Sequence, residues 1–191
     1  TVRWIASRAE ALQSDTQGRE MRSRAEMALD GEGRFLAVRV RHEADFGGYV
    51  SCYAPHTLTY GPTSVATGLY AIPAAQVEMT GRLSNTTWTD AYRGAGKPEA
   101  ILVLEALVDE AARVAGLDPA EIRRRNLIRT DALPLTTPAG ETYDSGDFPD
   151  RLEAALAELE RSDSAARRAA VEAKGHLFGR GLSCWLDTTS S

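Results

Sequence analysis

The chain has 191 residues, of which 43% are hydrophobic and 26% are charged, and its net charge is −5. This composition is typical of a soluble globular protein, and the acidic balance argues against a general nucleic-acid binder, whose surface would be basic. Every apolar run is shorter than the about 20 residues that a membrane-spanning helix needs. Cys52 and Cys184 are too few for a disulfide framework or a four-ligand metal site, which indicates reduced thiols in a cytoplasmic protein.

The first half of the sequence has the pattern of strands and loops. A short strand is predicted over residues 2–7. Apolar and charged residues alternate over 19–29, and a glycine-containing turn separates this stretch from a similar one at 35–44, which predicts a β-hairpin with one solvated face. Prolines and glycines predict a loop-rich region over 45–72, and residues 77–87 return to strand character.

The second half carries the clearest helices. Apolar residues recur at helical spacing over residues 100–115, and Gly116 is placed to end that helix. Asp118 and Pro119 are typical of the start of a second helix, which contains three consecutive arginines. We expect this basic triplet, residues 123–125, to lie on a solvated or subunit-contacting face.

The last part of the sequence alternates between loop and helix. Threonines, prolines and glycines predict an ordered loop over residues 130–146. Two helices are predicted over 148–160 and 164–174, and a strand over 179–187.

The order of these elements favours an α+β fold in which helices pack on mixed sheets. The sequence has no internal repeat and no composition break that would mark a linker. We therefore expect residues 1–191 to form part of one larger fold, with mainly strands and loops over about 1–88. The remaining residues, about 89–191, would supply a ligand-binding turn, helices and a returning strand.

A turn of small residues precedes the first long helix. Gly94, Ala95 and Gly96 lie between Arg93 and Pro98. Glycine lets a ligand approach the main chain closely, and unpaired N–H groups at a helix start favour an anion. Arg93 adds a fixed positive charge. These residues predict a site for a ligand with a phosphate or an oxyanion; the alternative is a tight strand-to-helix connection with Arg93 on the surface.

Residues 90–100, with the sequence Asp-Ala-Tyr-Arg-Gly-Ala-Gly-Lys-Pro-Glu-Ala, resemble the active-site loop of the molybdenum-binding large subunit of the xanthine oxidase family. That family includes aldehyde oxidoreductases, isoquinoline oxidoreductases, nicotinate hydroxylases and carbon monoxide dehydrogenases. Other segments resemble the family in the same order, so that the likeness covers nearly the whole chain. They are residues 2–5, 16–19, 69–73, 84–86, 107–112, 118–126 and 142–147.

The resemblance implies a molybdenum hydroxylase that oxidises an aldehyde or an N-heterocycle with water as the oxygen source. Its cofactor would be molybdopterin cytosine dinucleotide with molybdenum, bound by Arg93, Gly94 and Ala95, while Tyr92, Ala95 and Gly96 would line the substrate pocket. The small Ala95 stands where some relatives place an aromatic ring, which favours aldehydes over purines. Gly94 stands where carbon monoxide dehydrogenases of the family place a copper-binding cysteine, which argues against carbon monoxide oxidation.

The resemblance also implies partner subunits that carry 2Fe-2S clusters and FAD, in a cytoplasmic dimer of heterotrimers. The family's glycine-rich loop and general-base glutamate are expected outside this chain, so we predict no catalytic residue within it and an inert fragment when it is alone. The alternatives are a non-catalytic anion-binding module and a structural segment of a degenerate relative. His42, His56 and His176 lack the spacing of metal ligands, and no metal-ligating residue is predicted.

Overall fold

The computed structural model describes residues 1–162 and 164–187, and its helices and small sheets confirm the predicted α+β class. None of the helices in these two ranges has the length and hydropathy of a membrane span. In chain order the elements are α1 (Arg8–Ser14), β1 (Met21–Leu29), β2 (Phe35–Asp45), a π-helix (His56–Tyr60), α2 (Gly61–Ser64), β3 (Ala75–Arg82), α3 (Lys97–Ala115), α4 (Pro119–Asn126), a 3-10 turn (Thr130–Ala132), β4 (Leu135–Thr136), β5 (Thr142–Tyr143), α5 (Phe148–Arg161) and α6 (Ser164–Glu172).

The main sheet has the strand order β1-β2-β3, and its first two strands form the predicted hairpin. Alternate residues of β2 face opposite sides, so that Val38 and Val40 are buried while Arg39 and Arg41 are exposed. The predicted solvated face is confirmed. β2 and β3 pair in parallel, so residues 46–74 must cross from one end of the sheet to the other.

Helix α3 covers the apolar face of this sheet. Leu104 and Val108 belong to the same buried cluster as Val38 and Val40. The helix ends as predicted at Gly116, which has a φ of +66° and donates its N–H to carbonyl groups of the last turn. α4 begins as predicted, because the Asp118 carboxylate accepts hydrogen bonds from the next free N–H groups.

A buried ion pair joins α3 to α4. Arg123 is fully buried, and its Nη2 lies 2.9 Å from Oε2 of Glu105, while Nη1 lies 2.8 Å from Oδ1 of Asp109. The expectation of a solvated basic triplet is therefore wrong for Arg123, although its neighbour Arg124 is exposed. The reason is that α3 supplies carboxylates that satisfy the guanidinium away from water.

Two predicted strands are wrong. Residues 2–7 have no regular secondary structure, and Trp4 is 80% exposed. Residues 179–187 are also without regular secondary structure, and two of their main-chain groups bond to side chains of the helices. The carbonyl of Leu182 accepts from Arg123 at 3.1 Å, and the N–H of Cys184 donates to Glu105 at 2.9 Å.

Other element boundaries also differ from prediction. The strand predicted over 77–87 is β3, which ends at Arg82. The predicted loop over 45–72 contains the π-helix and α2, and the predicted loop over 130–146 contains the short pair β4–β5. These elements are too short to produce an apolar period in the sequence.

Candidate functional site

The turn of small residues leads directly into α3. Three successive residues have positive φ: Gly94 at +89°, Ala95 at +46° and Gly96 at +89°. A positive φ is uncommon for a residue that carries a Cβ, so Ala95 marks local backbone strain. Hydrogen bonds close the turn, from the N–H of Ala95 to the Tyr92 carbonyl at 2.7 Å and from the N–H of Lys97 to the Gly94 carbonyl at 3.1 Å.

The π-helix and α2 pack against the back of this turn. A Cβ added to Gly96 would overlap the main-chain oxygen of Thr57 and lie 2.8 Å from Cδ of Pro62. A Cβ added to Gly61, at the start of α2, would overlap the main-chain oxygen of Ala95. Only glycine fits at these two contacts, and they fix where the turn lies relative to the crossover connection.

The turn presents free main-chain donors. Within residues 1–162 and 164–187, the N–H groups of Arg93, Gly94, Gly96 and Glu99 have no hydrogen-bond acceptor. They lie at the start of the 19-residue helix α3, whose dipole favours negative charge at that end. The guanidinium of Arg93 is exposed and likewise makes no hydrogen bond to the described residues. Of the four residues, Gly96 is buried at the back of the turn, whereas Arg93 and Gly94 are the ones that line a cleft; a phosphate or oxyanion ligand there stays a prediction.

A cleft of about 540 Å³ opens beside the turn. Its walls combine two arginines with apolar and aromatic side chains, which is a surface suited to a ligand with both an anionic and a flat apolar part. The lining residues are Arg19, Tyr92, Arg93, Gly94, Pro98, Ile101, Leu102, Ser183, Trp185 and Asp187.

Two carboxylates near the turn are held in ion pairs: that of Asp187 lines the cleft, and that of Glu99 lies in the first turn of α3. Oδ1 of Asp187 lies 2.6 Å from Nζ of Lys97, and Oε2 of Glu99 lies 2.8 Å from Nη1 of Arg19. Each carboxylate therefore accepts a charged hydrogen bond.

The structure separates the predicted site residues into two groups. Tyr92, Arg93 and Gly94 line the cleft, whereas Ala95 and Gly96 form the back of the turn against the crossover connection. Arg19 and Trp185 also line the cleft, although neither is among the site residues that the sequence predicts. The segment at 16–19 resembles the family, but nothing in its sequence indicates that Arg19 contacts a turn more than 70 residues away.

The histidines and acidic residues of the described ranges do not form a metal site. Within the described parts of the chain, no group of three or more His, Cys, Asp or Glu side chains is close enough to hold a metal ion. His42 is buried on β2, where its Nδ1 lies 2.7 Å from Oγ of Ser23 and burial lowers the pKa of its imidazole.

Comparisons with known proteins agree with this picture. Residues 1–127 match the molybdopterin cofactor-binding domain family. The chain is 33% identical over 174 residues to the carbon monoxide dehydrogenase large chain of Hydrogenophaga pseudoflava, a match that covers 88% of this chain and 22% of that protein. It is 30% identical over 196 residues to the nicotine 6-hydroxylase large subunit of Paenarthrobacter nicotinovorans, covering 98% of this chain and 23% of that protein.

The same similarity is present among solved structures. Quinoline 2-oxidoreductase from Pseudomonas putida 86 superposes with a TM-score of 0.81 at 31% sequence identity, and the match covers 90% of this chain and 22% of that chain. The chain therefore spans less than a quarter of the length of these three relatives.

Proposed function

Since the chain belongs to the molybdopterin cofactor-binding domain family of molybdenum-dependent oxidoreductases of the xanthine oxidase type, we propose that its turn at residues 93–96 binds the molybdenum cofactor. The complete protein would then be a molybdenum hydroxylase that oxidises an aldehyde or an N-heterocycle with water as the oxygen source. The observation that carries this proposal is the set of free N–H groups beside Arg93 at the start of α3.

The proposed cofactor-binding residues are Arg93, Gly94 and Ala95. The free N–H groups of Arg93 and Gly94 suit anionic oxygens. Gly94 has a φ of +89°, and an added Cβ would lie 2.5 Å from Cγ of Pro98, so that glycine is required by the packing of the turn. Ala95 contributes through its backbone, which holds the tight turn. When bound, molybdopterin with molybdenum supplies the two-electron oxidation, and the resemblance to bacterial members favours its cytosine dinucleotide form.

The proposed substrate pocket contains Tyr92, Ala95 and Gly96. Tyr92 lines the cleft directly. Ala95 and Gly96 do not line it; they pack against the crossover connection and thereby fix the position of the turn beside the cleft. Relatives named for nicotine and quinoline support an N-heterocycle. The resemblance, in which the small Ala95 replaces an aromatic ring of some relatives, favours aldehydes over purines, although Ala95 packs behind the cleft and does not line it. Carbon monoxide is disfavoured despite the similarity to carbon monoxide dehydrogenase, because Gly94 has no thiol for a second metal.

The remaining parts of the proposal concern the assembly. We propose a cytoplasmic dimer of heterotrimers with 2Fe-2S and FAD subunits as electron acceptors. The 191-residue chain alone would be inert, because the resemblance places the general-base glutamate of the family outside it.

The test is Arg93→Ala in the complete subunit, purified with its partners. We expect turnover of aldehydes and N-heterocycles to fall by about 100-fold, because an unpaired cation beside the reacting group is lost. Molybdenum content, measured by elemental analysis, separates loss of cofactor from loss of rate. Arg129→Ala is the matched control, since Arg129 is exposed and pairs with Asp131 at 3.0 Å outside the cleft.

Wild-type turnover with full molybdenum content in Arg93→Ala would remove Arg93 from the site. A correctly assembled wild-type complex without molybdenum would refute the enzyme proposal. In that case the free N–H groups would favour the alternative, a non-catalytic module that binds an anion, which titration with pyrophosphate would detect.

A further inference from the structure

The side chain of Arg19 contacts both the turn and the start of α3, although Arg19 lies far from them in sequence. We propose that Arg19 is a positioning residue: it holds the carbonyl of Arg93 and thereby aims the free N–H groups of the turn. The consequence for the active site rests on the proposed function, whereas the effect on the turn itself does not.

The guanidinium of Arg19 makes three contacts. Its Nη2 donates to the carbonyl oxygen of Arg93 at 2.7 Å, and its Nη1 donates to Oε2 of Glu99 at 2.8 Å. Its central carbon lies 4.9 Å from the centre of the Tyr92 ring, within the range of a cation–π interaction. The Glu99 side chain is 10% exposed and that of Arg19 is 33% exposed, so the ion pair is partly shielded from water.

The segment before Arg19 is bonded to the chain just before the turn. The main chain of Gln17 pairs with the strand-like residues before the turn, accepting from the N–H of Asp90 at 3.0 Å and donating to the Trp88 carbonyl at 2.9 Å. Gly18 lies directly under Tyr92, since an added Cβ would be 3.0 Å from Cβ of that residue. Arg19 has a φ of +66°, an uncommon conformation that this packing maintains.

Peptide geometry links these contacts to the donors. The carbonyl of Arg93 and the N–H of Gly94 belong to one planar trans peptide, in which they point in opposite directions. A hydrogen bond that fixes the carbonyl therefore also fixes the direction of the N–H. The charge of Arg19 polarises the same peptide, which strengthens its N–H as a donor. A lysine at position 19 would keep the charge. It lacks the planar guanidinium, whose two terminal nitrogens donate at the same time to the Arg93 carbonyl oxygen and to Glu99.

The experiment is hydrogen exchange, followed by mass spectrometry, on the complete complex carrying Arg19→Lys or Arg19→Met. The hydrogen-bonded amides of Ala95, Lys97 and Ala100 report on the closure of the turn. We expect their exchange to be about tenfold faster in both variants, while peptides from β2 exchange as in the wild type. Arg41→Lys is the matched control, because Arg41 pairs with Glu78 at the same distance of 2.8 Å on the exposed face of the sheet.

Glu99→Gln provides the second variant. It keeps the contact between Arg19 and the Arg93 carbonyl but removes one charge of the pair, so we expect a smaller increase confined to the turn. Unchanged exchange of the turn in both Arg19 variants would overturn the proposal. If those variants exchange faster throughout the chain, Glu99→Gln decides: a local increase supports the proposal and no increase overturns it.

Molybdenum content is measured on the same samples. Absence of molybdenum from the wild-type complex refutes the proposed function, whereas the exchange comparison still tests the role of Arg19. With the cofactor present, we expect Arg19→Lys to lose more kcat than affinity for substrate, because a misdirected donor acts on the reaction and not on substrate binding.

Discussion

Replacing Gly96 by alanine tests whether the back of the turn controls the site. At a φ of +89° an alanine pays about 1–2 kcal/mol for the left-handed backbone. Its Cβ would also overlap the main-chain oxygen of Thr57, which is buried and cannot move freely, and such overpacking adds about 1–3 kcal/mol. We therefore expect Gly96→Ala to lower the free energy of unfolding by about 2–5 kcal/mol and to displace the turn.

Gly116→Ala separates the two contributions. Gly116 also has a positive φ, of +66°, but nothing lies within 4 Å of an added Cβ there. This variant should lose only the backbone part, about 1–2 kcal/mol. Urea unfolding of the complete subunit carrying either substitution measures the difference between their free energies of unfolding. The molybdenum content of the same samples reports the effect on the proposed site. Equal unfolding free energies and equal molybdenum contents in the two variants would refute the steric argument.

Two further predictions concern buried charged and polar groups. Arg123→Met leaves the buried carboxylate of Glu105 without its cationic partner, although the Cys184 N–H still donates to it, and should lower the free energy of unfolding by about 3–5 kcal/mol. Arg124→Met removes an exposed pair and should cost at most about 1 kcal/mol in the same urea assay. Burial holds the pKa of His42 below its ordinary value of 6.5, so the unfolded chain takes up a proton before the folded protein does. The contribution of His42 to the free energy of unfolding should therefore be fully present above pH 6.5 and be lost as the pH falls below that value. His42→Gln should remove this pH dependence in unfolding experiments between pH 7 and 5. An unchanged dependence would show that another group titrates.

Local patterns in the sequence are sufficient to predict much of the fold. The hairpin of β1 and β2 follows from strict alternation, and α3 follows from its apolar period together with Gly116 at its end. Asp118 and Pro119 correctly mark the start of α4. In each case the decisive residues are neighbours in sequence, so that their spacing carries the information.

Features that depend on distant residues could not be predicted. Arg123 looks like part of a solvated triplet until Glu105 is brought beside it by the packing of two helices. The π-helix has no periodic signal, and only the three-dimensional contact explains why Gly61 and Gly96 lack side chains. The turn itself was predicted from its small residues, but the contact with Arg19 required the structure.

The parallel pairing of β2 with β3 has a consequence for the order of folding. The crossover over residues 46–74 contains the π-helix and α2, which support the turn from behind. β2 and β3 can pair only when the two ends of this connection are brought together. Closing a long loop costs conformational entropy, so we expect this pairing to form slowly. We expect the turn to reach its final geometry only after the sheet has assembled, which would make it one of the last parts of this fold to form.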